Sequence, residues 1–153
     1  KNVSFIFTRP NSDTNGRIIS KMIDKFVKAN KATSIVFDSM GHLNYLSTLQ
    51  YVDGVIGNSS SGISEAPSFK IGTINIGDRQ KGRIKPQSVI DCRPDKKSIS
   101  EALNQLFNDS FGLKIKKVKN PYGDGGASRK IFNILKNYDM PNELKKKFFD
   151  INI

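Results

Sequence analysis

The chain has 153 residues, 37% hydrophobic, 9% aromatic and 25% charged, which is enough to build one globular core and excludes a disordered or fibrous chain. One cysteine, Cys92, closes no intramolecular disulfide and one histidine, His42, completes no Cys/His metal set, so a reducing, cytoplasmic setting without a metal or other cofactor is expected. The formal charge of +11 favours anionic partners through long-range steering, with +5 carried by residues 1–110 and +6 by residues 111–153.

Val3–Phe7 is a β-branched and aromatic run that predicts a strand, and Pro10-Asn11-Ser12-Asp13 after it is turn chemistry. Over Arg17–Val27, Ile18, Ile19, Met22, Ile23, Phe26 and Val27 recur at helical spacing with Lys21, Asp24 and Lys25 between them, predicting an amphipathic helix. Ser34–Phe37 predicts a second strand, Leu43–Tyr51 a second helix, and Gly54–Gly57 a short third strand that stops on a glycine. Ile63–Phe69 follows as a helix, Thr73–Ile76 and Ser88–Ile90 as strands, and Ser98–Phe107 as a further helix. Gly112–Gly126 reads as an irregular basic connection, Ala127–Tyr138 as an amphipathic helix, and Asn142–Phe149 as a last short one.

Strands that alternate with helices and read as continuous apolar runs argue a Rossmann-like parallel sheet with helices on both faces. The expected organisation is a single α/β domain over residues 1–153, with a sheet core at 1–110, a connection at 111–126 and carboxyl-terminal helices at 127–153. No stretch approaches the ~18 consecutive apolar residues of a membrane span, and Lys1-Asn2-Val3 opens no signal peptide, so no membrane partner is expected. Lys114, Lys116, Lys117 and Lys119, and later Lys145, Lys146 and Lys147, have only Tyr122, Phe148 and Phe149 as aromatic neighbours. Without a groove-reading or single-strand motif they read as a solvated face or a surface turned toward another domain, and no nucleic-acid partner is expected.

In open parallel sheets ligands bind beyond the carboxyl ends of the strands, which singles out the loops after Phe7, Phe37, Ile56 and Ile76. After Ile56 the residues Gly57, Asn58, Ser59, Ser60, Ser61 and Gly62 bring backbone N–H groups and hydroxyls to a helix start, an arrangement that suits a phosphate. The same residues also suit a plain turn with Ser61 or Gly62 as N-cap. Glu65, placed at the third or fourth helical position, can accept two hydrogen bonds from a vicinal diol such as a ribose, or can close a capping box. Arg79, Lys81 and Arg83 follow the next strand and put cations beside the presumed phosphate, unless they are a solvated basic turn. The loop Ser39-Met40-Gly41-His42-Leu43-Asn44-Tyr45 offers amides and a ring to a planar base, with His42 incidental to it. Neither Gly-x-Gly-x-x-Gly nor a P-loop is present.

Three motifs carry a resemblance: Gly57-Asn58-Ser59-Ser60-Ser61-Gly62-Ile63-x-Glu65-x-Pro67, Asn75-Ile76-Gly77-Asp78-Arg79-Gln80-Lys81-Gly82-Arg83, and Tyr122-Gly123-Asp124-Gly125. In this order and spacing they resemble the UDP-N-acetylglucosamine 2-epimerase family, most of all its hydrolysing branch, which feeds sialic-acid-type sugar synthesis. The resemblance implies a two-domain glycosyltransferase-B-type fold, of which this chain matches the carboxyl-terminal, nucleotide-binding half. It implies that Ser59 and Ser60 bind the diphosphate of UDP or a UDP-sugar, Glu65 the ribose hydroxyls and Arg79 the phosphate side. Gly57, Asn58, Ser61 and Gly62 complete that loop, and Met40, Gly41 and Tyr45 border the uracil. The acid/base carboxylates of the family lie in an amino-terminal domain, so no catalytic residue is expected in this chain, and the intact enzyme is expected to be a homo-oligomer. The competing expectations are a stand-alone uridine-nucleotide module and the donor-binding half of a glycosyltransferase.

Overall fold

A computed structural model of the chain describes residues 3–11, 15–139 and 145. Contacts cluster into two compact units, residues 1–121 and residues 122–153, where one domain with a connection at 111–126 was expected. In the first unit five short strands, β1 (Phe5–Thr8), β2 (Ser34–Phe37), β3 (Gly54–Gly57), β4 (Gly72–Ile76) and β5 (Val89–Cys92), are interleaved with α1 (Gly16–Ala29), α2 (Gly41–Leu49), α3 (Ser61–Ser64), α4 (Lys96–Leu106) and α5 (Asp109–Ile115). Every ladder is parallel, so the α/β Rossmann-like reading holds.

The strands form two ladders, β1–β2 and β3–β4–β5, rather than one five-stranded sheet. In the first, Phe5 pairs with Ser34 and Thr8 with Phe37. Phe5 and Phe7, two residues apart on one face, meet Phe26 of α1 edge-on at 5.9 and 5.7 Å. In the second, Ile56 pairs with Ile74, and Ile74 with Ile90. Alternation along β4 and β5 sends Ile74, Ile76, Ile90 and Cys92 to a core with Ala102, Leu103 and Leu106 of α4 and Phe111 and Ile115 of α5. Thr73 and Asn75 point to the opposite face, where Gly62 of α3 lies against Thr73.

Three expectations need correcting. The first residues of the supposed irregular connection, up to Ile115, are helical, because they continue a helix over Asp109–Ile115 that Asn108 caps by accepting from the Ser110 amide at 2.9 Å. The helix expected over Ile63–Phe69 splits into the single turn α3 and a 3-10 turn, Ala66–Phe69, because Pro67 has no amide to continue the ladder. Glu65 therefore lies at the carboxyl end of α3, not at its third or fourth position. The helix expected at 142–149 lies outside the described residues apart from residue 145. In the second unit α6 (Ala127–Lys136) follows Gly126, whose φ of 77° favours glycine, and it carries Ile131, Phe132, Ile134 and Leu135 exposed.

Candidate functional site

At the end of β3, Gly57 adopts a φ of 152°, which an L side chain rarely accepts, and turns the chain into Asn58-Ser59-Ser60. Ser60 is the N-cap of α3 yet makes no side-chain capping bond, and Glu65 closes no capping box. The Ser59 hydroxyl accepts from the Ser61 amide at 3.3 Å, and the Ser64 hydroxyl donates to the Ser60 carbonyl at 2.9 Å. The amides of Ser59 and Ser60 find no acceptor among the described residues. With only one turn, α3 contributes little macrodipole, so what this loop can offer an anion is its exposed N–H and O–H donors.

The loop after β4 grips this turn. No helix connects β4 to β5, and residues 77–88 instead run past the serine loop. The Gln80 Nε2 donates to the Asn58 carbonyl at 2.7 Å, and the Arg79 Nη1 reaches the Asn58 Oδ1 at 3.4 Å. Gln80 is 3% exposed, and its Oε1 has no partner among the described residues. Lys81 and Arg83 are exposed, and a 2.8 Å bond from the Lys81 amide to the Asp78 carbonyl closes a turn beneath them.

On the other side stands α2. Gly41, expected in a loop, opens this helix, Tyr45 lies on it within the helix expected from Leu43, and Met40 is its N-cap. The Tyr45 and Ser61 hydroxyls share a 2.6 Å hydrogen bond. Partial burial pushes the Tyr45 phenol up, the bond to Ser61 opposes it, and the charge of Glu65 adds to the rise. Tyr45 is thereby tied to the serine loop, whereas His42 is exposed on the first turn of α2.

Arg9 and Arg93 carry no role in the sequence reading. Arg9 pairs with Asp24 at 2.8 Å and Asp38 at 2.5 Å, bonds that raise its already high pKa and tie the ends of β1 and β2 to α1. Arg93 lines a shallow depression at the ends of β4 and β5 with Gly77, Asp78, Asp91, Cys92 and Pro94. Burial pushes the Cys92 thiol up, helped by the charges of Asp95 and Asp91, so it is a poor nucleophile. Gln80 shows its role only through burial, a signal absent from an exposed-looking run of polar residues. No group of three or more metal-ligating side chains occurs among the described residues, and no described helix is long and apolar enough to cross a membrane. Tyr122-Gly123-Asp124-Gly125 belongs to the second unit.

A serine loop clasped by the Arg79 and Gln80 loop at the carboxyl ends of parallel strands stands where open α/β sheets hold their ligands. The chain belongs to the UDP-N-acetylglucosamine 2-epimerase family, whose model matches residues 1–136. It is 41% identical to a GDP/UDP-N,N'-diacetylbacillosamine 2-epimerase (hydrolyzing) of Campylobacter jejuni over 99% of this chain and 39% of that protein. It is 38% identical to polysialic acid biosynthesis protein P7 of Escherichia coli over 96% of this chain and 37% of that protein. Its fold matches the crystal structure of UDP-GlcNAc 2-epimerase from Neisseria meningitidis bound to UDP-GlcNAc, with a TM-score of 0.58, 18% identity, and coverage of 90% of this chain and 45% of that one. The chain thus spans about two-fifths of the length of the curated relatives it matches.

Proposed function

We propose that this chain is the UDP-sugar-binding half of a hydrolysing 2-epimerase that converts a UDP-2-acetamido sugar such as UDP-N-acetylglucosamine to the free epimerised sugar and UDP. The carrying observation is the serine loop, whose unspent donors at Ser59 and Ser60 are held by Gln80 and Arg79 through Asn58. In this reading the Ser59 and Ser60 amides and the Ser60 hydroxyl donate to the diphosphate, and Arg79 leaves Asn58 to neutralise it. Glu65 accepts from the ribose diol, and the start of α2, with Met40 and Gly41, borders the uracil. Tyr45 acts through Ser61, whose hydroxyl it holds.

The reaction eliminates UDP across C1 and C2 of the sugar and then adds water to the resulting glycal, which demands a base and an acid at the sugar ring. These 153 residues supply the part that holds the leaving group, and the acid and base come from a partner domain. A donor-binding half of a glycosyltransferase would use the same loop, and it differs in leaving no free epimerised sugar.

Thermal unfolding with added nucleotide tests the reading. UDP at one hundred times its Kd should stabilise the chain by about 2.7 kcal/mol, with ADP giving much less. Arg79→Ala should weaken UDP far more than uridine, and Glu65→Gln should weaken uridine but leave 2′-deoxyuridine unchanged. Absence of any UDP response at millimolar ligand would overturn the assignment.

A further inference from the structure

We propose that the groove between the β4–β5 loop and the end of α5 is a second anion site, for a small ligand carrying two or three linked phosphates. It lies at the amino-terminal side of β5, whereas the serine loop leaves the carboxyl end of β3. Lys85 enters from the loop before β5, Lys114 from the last turn of α5, and Lys117 and Lys119 from the chain that follows. The cavity is about 620 Å³, within the range of small-molecule sites. Pro86 and Val118, both buried, form part of its lining.

Lys85 is anchored by its side chain, and the exposed Lys114, Lys117 and Lys119 branch from a backbone that packs through the buried Val118. The Lys85 ammonium is anchored on the Asp91 carboxylate at 2.8 and 2.9 Å. Burial pushes that carboxyl up, but the bonds from Lys85 and Asn75 outweigh it and hold it below its ordinary value. Val118, 6% exposed, accepts a hydrogen bond from the Lys70 ammonium and donates its own amide to Ile115. Lys114, Lys117 and Lys119 make no ion pair among the described residues, and residues 111–121 contain no Asp or Glu. A lysine-lined sheet edge also discourages edge pairing, but that purpose needs no cavity between the lysines. Clustered cations repel one another unless a counter-charge enters. Compact ammonium groups suit phosphate oxygens, and with Lys85 already answered by Asp91, the three ammonium groups of Lys114, Lys117 and Lys119 come close to the roughly three to four charges that a linked di- or triphosphate carries near neutral pH.

Inorganic triphosphate is the probe, titrated calorimetrically into the chain with and without excess UDP. Binding should persist with UDP present, and Lys114→Ala combined with Lys117→Ala should weaken it roughly tenfold or more. Lys21→Ala combined with Lys25→Ala removes the same charge from exposed positions of α1 that do not line the groove and should change it by less than about twofold, because exposed charges without direct contact are screened by solvent and salt. Lys119→Glu provides an independent reading in an irregular segment should the first pair fail to fold. Equal weakening by both pairs would reduce the effect to the general field of the chain and overturn the proposal. Triphosphate that UDP displaces entirely, or that binds Lys119→Glu unchanged, would overturn it as well.

Discussion

Gly62→Ala is the substitution to which the site frame should respond most informatively. A Cβ at this position would lie 2.5 Å from the Thr73 Cγ2, with the Thr73 Oγ1 and Cβ at 3.5 and 3.6 Å. Thr73 cannot turn aside cheaply, because it is 2% exposed and its hydroxyl donates to the Gly62 carbonyl at 2.8 Å. Overpacking of this kind costs about 1–3 kcal/mol, and the gain from Ala over Gly in a helix returns up to ~1 kcal/mol. The net loss should be about 1–2 kcal/mol. Thr73→Ser removes the obstructing methyl, keeps the hydroxyl and costs about 1 kcal/mol by itself. In urea denaturation the double variant should therefore be more stable than the sum of the singles by about 1–2 kcal/mol. The UDP response, weakened in Gly62→Ala, should recover with it. Additivity within about 0.3 kcal/mol would show that α3 does not rest on β4 as described.

Leu106→Ala should cost about 2–5 kcal/mol in the same assay, because its methyls lie where side chains at Gly54 and Gly72 would stand and little can collapse into the space. Tyr45→Phe should leave uridine binding unchanged while weakening UDP, and an equal loss for both would put the ring against the base instead of behind Ser61. Asp95 caps α4 by accepting from the Ser98 amide at 2.9 Å, and that bond holds its carboxyl below its ordinary value of 3.8. Because the folded value is the lower one, its contribution is present above about pH 4 and is lost as pH falls through the folded value, so Asp95→Asn should flatten the acid limb of stability against pH.

Where periodicity and turn chemistry agree, sequence and structure coincide: Ser34–Phe37 and Gly54–Gly57 are strands with the expected bounds, and the helix expected at Arg17–Val27 extends by only a few residues. The misses have local causes. Pro67 divides an apolar run whose period looks helical throughout, and the cap at Asn108 was hidden behind Gly112, which reads as a breaker. The serine loop was legible because small residues after an apolar strand are conspicuous. The clasp at Gln80 and the hydroxyl pair of Tyr45 with Ser61 were not, since each joins residues 16 or more positions apart and leaves no periodic trace.

The separation of the strands into two ladders makes the opening free energy unequal along the chain. Amides of β4 have partner strands on both sides and buried residues on both faces, so they should exchange with solvent only in near-global openings. In β1–β2, Ile6 and Ile35 are 46% and 49% exposed, and this pair can breathe while the other ladder stays closed. Both loops of the proposed nucleotide site leave strands of the slower ladder. The platform proposed to receive the nucleotide thus stays folded while the β1–β2 ladder opens, and binding there should protect few amides that are not already protected.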